Sequence, residues 1–208
     1  DFYGEAGYQW GSHYNTGLDD RQDREAWGAT LEGGYTFADC KWRPRVSLGW
    51  EYLTGDDPDS SDWEQWDPML ARWPHWSELF AYRWAFEGGL PGCYHNIQRY
   101  SIGTQFTPIN NPEAERLKRL HAAFYYHYLL GNEHTLGTTF SPPLMNYDDG
   151  DTRGSLLTGK LTCQWNDYVS GHFVTEYFTP GSFYADEADD AWFMRWQLLF
   201  KLPVPDKS

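Results

Sequence analysis

The feature that most constrains this chain is a period-two alternation of apolar and polar residues, repeated in blocks of about ten residues. The first block sets Phe2, Ala6, Tyr8 and Trp10 on one face and Glu5 and Gln9 on the other. Later blocks repeat the division, as in Val46, Leu48, Trp50 and Tyr52 against Arg45, Ser47, Gly49 and Glu51. Gly, Pro and Asp clusters bound the blocks, which predicts strands near 2–12, 26–37, 45–55, 97–107, 118–130, 154–165, 169–178 and 191–202. No charged residue falls on the apolar face of any block, whereas the opposite face carries Glu5, Glu32, Glu51, Glu176, Arg45, Arg99, Arg119, Lys160, Arg195 and Lys201.

Lipid explains that partition better than water does. A Lys or Arg at a bilayer midplane costs about 2–4 kcal/mol, so a lipid-facing surface must exclude charge from every strand. The chain is 19% aromatic, yet its mean hydropathy is −0.72 and its formal net charge −14. No apolar run is long enough for a membrane helix, but a barrel needs only alternate residues to be apolar. A strand of about eleven residues, tilted by ~40°, spans roughly 27 Å, close to the apolar band of an outer membrane. Trp10, Trp27, Tyr52, Trp165, Tyr177 and Trp192 lie near strand ends, where aromatic girdles form. The expected fold is therefore all-β, an antiparallel transmembrane β-barrel built as a meander, in one domain over 1–208. Its location would be the bacterial outer membrane, with lipid as a partner. The competing reading is a soluble, aromatic-rich β-sandwich that binds carbohydrate, its rings serving as sugar platforms.

Connection lengths give the chain a direction. Residues 38–44, 108–117 and 166–168 are compact, whereas 12–25, 56–96, 131–153 and 179–190 are longer and rich in Asp and Gly. Short turns face the periplasm and long loops face outside, so 56–96 is expected to be a long extracellular loop. Asn111-Pro112-Glu113 is predicted to cap one short helical turn. Residues 78–87 alternate as well, but a ninth membrane strand would reverse every upstream hairpin. They are predicted to be an extended piece inside the long loop. Residue 1 already lies within an alternating block, from which an N-terminal portion beyond this chain is expected.

By phase, the inward wall holds Arg45, Arg99, Arg119, Lys160 and Arg195 beside Glu51, Glu176, His121, His127 and His172. Basic groups exceed acidic ones there although the protein as a whole is acidic. Such a wall either favours anions or consists of Arg–Glu pairs that stiffen it. Asp56, Asp57, Asp59 and Asp62 supply oxygen at a density that would suit Ca²⁺, without EF-hand spacing; a solvated acidic loop is the simpler reading. Cys40, Cys93 and Cys163 suggest neither a disulfide framework nor zinc. Strong acidity argues against a nucleic-acid partner. HExxH, GxSxG, P-loop and GxGxxG motifs are all missing, so neither an enzyme nor a cofactor is expected.

Trp50-Glu51-Tyr52-Leu53-Thr54-Gly55-Asp56-Asp57 resembles a segment of alginate-export-type outer-membrane barrels. Asp67-Pro68, Arg72-Trp73-Pro74, Trp76-Ser77-Glu78-Leu79, Asn96-Ile97 and the stretch from Glu176 to Tyr184 fit the same pattern, as does a closing strand with Phe193 and Arg195. The resemblance covers most of the chain from about residue 45 onward. It implies a monomeric barrel of about eighteen strands, of which this chain would supply the last eight. It also implies a channel for anionic poly- or oligosaccharide or small solutes. No substrate-contacting residue can be carried over.

Overall fold

A computed structural model of the chain describes residues 1–15, 20–68, 74–81, 94–133, 150–184 and 186–202. The described residues form eight strands: β1 (Phe2–Asn15), β2 (Asp20–Thr36), β3 (Arg45–Leu53), β4 (Ile97–Asn110), β5 (Arg119–Leu130), β6 (Thr152–Gln164), β7 (Val169–Pro180) and β8 (Ala191–Phe200). They form one sheet in the order β1 to β8, every neighbouring pair antiparallel. All eight predicted strands are present. The apolar side of this sheet lies open among the described residues, which favours a barrel wall over the soluble sandwich. Leu48 is 63% exposed, Trp196 66% and Phe2 78%, and Phe124, Leu157, Leu161 and Met194 share that face. Such a surface is a barrel wall's lipid face rather than half of a core.

The largest departure from the expected boundaries is the first hairpin. Residues 12–25, read from sequence as a loop, mostly continue the ladder, which pairs Asn15 with Asp20. Alternation fades beyond Trp10 and Trp27 because a ladder that rises past the apolar band meets water on both faces. Hydrogen bonds continue where the hydropathy signal does not. A second difference lies at 111–118, where the predicted helical turn gives way to irregular turns. The Asn111 amide donates to the Lys118 carbonyl (2.8 Å), and Leu117 has φ of 54°. This closure holds β4 to β5 at strand spacing, which a helical turn would interrupt.

The eight strands carry two inner environments. Toward the long-loop end, the inward positions Leu53, Ile97, Leu129, Leu156 and Phe178 are apolar and buried. Phe80, Tyr94, Phe183 and Tyr184, from the 54–96 and 181–190 connections, cover them and complete a dry cluster. Toward the turn end the inner face is polar. The core of this wall is thus a plug of loop residues inside one mouth, not a layer between two sheets.

The candidate pore wall and its inward loop

The 54–96 connection folds onto the inner face at several points. Near its start, Gln9 grips Asp67 twice: its side-chain amide donates to the Asp67 carbonyl (2.5 Å), and its carbonyl accepts the Asp67 amide (2.9 Å). The Trp63 amide donates to Asp23 (2.6 Å), the Glu25 amide to Trp63 (3.1 Å) and the Trp66 amide to Thr54 (3.2 Å). Between these anchors the Trp66 indole lies against Gly7 and Gly28, which face each other across β1 and β2. A Cβ at Gly7 would stand 2.9 Å from the ring and one at Gly28 3.0 Å, so both positions need glycine for this approach.

Deeper in the loop, the wall itself supplies the seat. Glu176 on β7 is 1% exposed, and its carboxylate accepts three donors. They are the Ser77 hydroxyl (2.8 Å) and the amides of Glu78 (3.0 Å) and Leu79 (2.8 Å). The Ser77 oxygen in turn accepts the Phe80 amide (3.0 Å). First-turn amides have no partner within a helix, so these acceptors allow residues 78–81 to be helical. The predicted extended conformation is therefore wrong for 78–81, and residues 82–87 lie outside the described part. Phe80 follows into the dry cluster and meets Phe178 edge-on at 5.0 Å.

Beside this seat, the inward cations are placed as follows. Arg99 donates to Glu51 (2.9 Å) and Ser101 (3.0 Å), contacts His127 Nδ1 (3.3 Å) and stacks under Trp76 (5.2 Å). The Trp76 indole N–H points to both Glu51 (2.9 Å) and the Tyr94 hydroxyl (2.8 Å). Burial, with the Glu51 carboxylate nearby, pushes the Tyr94 phenol well above its usual range. Arg195 is paired with Glu78 (2.7 Å) and contacts His172 (2.9 Å); Arg45 is paired with Asp1. His121 contacts Thr107 (3.1 Å). Glu176 seats the loop rather than standing free in the lumen. Lys160 and Arg119 are exposed and, among the described residues, have no counter-ion.

Lys160 borders an open cavity of about 760 Å³ between wall and loop. Glu51, Arg99 and His121 reach the same space, whereas Arg119 stands nearer the turn end, beside the 165–168 turn. The β1–β2 side of the cavity carries Glu5 and Glu32, so its carboxylates and Lys160 stand on different strands. The acidic candidates Asp56 and Asp57 lie at the start of the loop, and their carboxylates accept the amides of Glu64 (3.0 Å) and Asp59 (2.8 Å). Asp59 is exposed, and Asp62 receives a hydroxyl contact from Ser61 (3.5 Å). Among the described residues, no group of three or more His, Cys, Asp or Glu converges to hold a metal. Cys40 and Cys163 are free thiols, and Cys93 lies outside the described residues.

Sequence phase alone missed the rim. Asn96, at φ 52° and 1% exposed, accepts the amides of Asn132 (2.8 Å) and Glu133 (2.9 Å) and donates to the Glu133 carbonyl (2.7 Å). Arg153, 2% exposed, donates to the Asn96 carbonyl (3.2 Å) and lies over the Phe183 ring (4.1 Å). Burial, with Arg153 nearby, lowers the His95 imidazole to about 3. One signal in the sequence could have exposed this arrangement. Leu53, Ile97, Leu129, Leu156 and Phe178 all fall in the inward phase, and a water-filled mouth has no use for them.

One antiparallel sheet with an uncharged apolar outer face, a polar inner face and a loop folded into its mouth is the wall of an outer-membrane transport β-barrel. The alginate export family matches residues 1–196, and the chain belongs to that family of outer-membrane barrels. The match takes in β1 and β2, upstream of the motifs that carried the resemblance. Comparison with curated proteins gives no match.

Proposed function

We propose that this chain walls a bacterial outer-membrane channel that passes anionic oligo- or polysaccharide, or small anionic solutes. Its apolar face takes outer-membrane lipid, and the 54–96 loop enters from the extracellular side. The observation that carries this reading is Lys160, a cavity-lining ammonium with no ion pair among the described residues. Arg45, Arg99 and Arg195 are each paired with a carboxylate, so their fields are largely cancelled at a distance. Glu5 and Glu32 stand on the other side of the space, which leaves the β6 side as the favourable track for an anion. The test is ion selectivity of the full-length barrel in a planar bilayer. Lys160→Glu is expected to move the reversal potential toward cations, more than Arg99→Gln does, and less so as salt screens the field. If Lys160→Glu left selectivity unchanged at low salt, the anion reading would fail.

A further inference from the structure

Trp66 packs against the dry cluster and also stands at the border of the cavity. Backbone bonds secure the loop on both sides of this residue, through Thr54 and through the paired contacts of Gln9 with Asp67. Gly7 and Gly28, directly opposed in the ladder, both leave room for the indole to approach bare backbone. Trp66 is partly exposed and borders the cavity, and among the described residues no hydrogen bond engages its indole N–H. Tyr125 repeats the arrangement on the opposite part of the wall. It is cavity-lining, and its ring covers Gly103, its ladder partner. Glu5, one of whose oxygens accepts the Tyr3 hydroxyl, and Glu32 border the same space and offer further carboxylate oxygens as acceptors. A partly exposed aromatic ring that keeps its own N–H free among the described residues, with carboxylate acceptors bordering the same space, matches a pyranose ring. The axial C–H groups of such a ring stack on π-faces while its hydroxyls need hydrogen-bond partners.

We propose that Trp66, seated on Gly7 and Gly28, is a stacking subsite for one pyranose ring of a passing oligosaccharide, independent of that sugar's charge. This rests on the saccharide-passage reading and divides its chemistry in two: Trp66 holds the ring, and Lys160 favours the acidic substituent. The experiment uses the full-length barrel in planar bilayers and measures ion-current block by a neutral gluco-oligosaccharide and by a uronate oligomer of equal length. Trp66→Leu is expected to weaken block by both sugars about ten-fold, the scale of one stacking contact. Trp66→Phe, which keeps a ring on the glycines, should lose less, and Lys160→Gln should weaken only the uronate. Hydrogen-exchange protection of the Glu78 and Leu79 amides reads loop seating in the same variants, and a loss there together with the loss of block would overturn the subsite, because loop release would then explain the block. If Trp66→Leu blocked as well as wild type while Lys160→Gln weakened the uronate, the stacking subsite would be overturned and the passage reading would stand. If neither sugar blocked the wild type, both would fall.

Discussion

Replacing Glu176 with Gln removes one charge and one acceptor oxygen from the seat that holds the inward loop. In the wild type, Oε2 receives the Ser77 hydroxyl and the Leu79 amide, and Oε1 receives the Glu78 amide. A Gln carbonyl can keep the first two as neutral bonds, but its NH₂ then faces the Glu78 N–H, donor against donor. Losing one charge-assisted bond and weakening two others at a buried site costs about 2–3 kcal/mol. That is about 30- to 150-fold in the equilibrium for local opening of the loop. Hydrogen exchange reads this directly, because the Glu78 and Leu79 amides sit in a first turn and have Glu176 as acceptor. Their protection should fall by roughly that factor in Glu176→Gln, whereas strand amides such as Tyr126 keep theirs, since local and global opening are separate processes. Unchanged protection at Glu78 and Leu79 would mean that Phe80 packing alone holds the loop. An equal loss at Tyr126 would mean that Glu176 supports the whole wall instead of the seat.

Leu161→Arg or Phe124→Arg should block insertion into lipid vesicles, at a cost of about 2–4 kcal/mol, while Thr162→Arg, one residue on and lining the cavity, is tolerated. A gel-shift folding assay checks this, and equal damage at 161 and 162 would reverse the two faces. His95 adds a pH dependence with a defined sign. Its folded value of about 3 lies below the unfolded value of about 6.5, so as pH falls from 6.5 toward 3 only the unfolded state gains this proton. Stability should drop by up to about 1.4 kcal/mol per pH unit in that window, and the drop should flatten in His95→Gln when denaturant midpoints are compared. Identical pH slopes in the two proteins would contradict a buried, neutral His95.

Strand number, order and facing were legible because the lipid constraint acts on every strand at once. A single misplaced charge such as Leu161→Arg is costly, so alternation persists through all eight blocks. Where that constraint ends, legibility ends with it. β1 and β2 rise beyond Trp10 and Trp27 into water, and nothing in their alternation records that Asn15 still pairs with Asp20. The alternation of 78–87 has a different origin at its start. Phe80 is apolar because it enters the dry cluster, and 78–81 becomes helical because Ser77 and Glu176 satisfy amides that sequence spacing leaves open.

The inner wall was legible in membership but not in role. Phase placed Glu51, Arg99, Glu176 and Arg195 inward, yet phase cannot distinguish a free lumen charge from one committed to a partner. Commitment is set by contacts distant in sequence. Ser77 reaches Glu176 across 99 positions, and Glu78 reaches Arg195 across 117. Three of the five basic side chains proved to be paired, which turns the wall from a uniformly basic surface into mostly neutral ion pairs with Lys160 and Arg119 left over. That difference matters for transport. On the proposed reading, a paired Arg99 beneath Trp76 keeps the inner wall rigid, where a mobile cation would bind a passing anion too tightly to release it. An isolated Lys160 on a strand, flanked in the ladder by Ala123 and Val174, can attract an anion and let it go. Conduction needs this combination of a rigid frame and sparse, weakly competing charge. Here the frame consists of the pairs that sequence phase had grouped with the pathway.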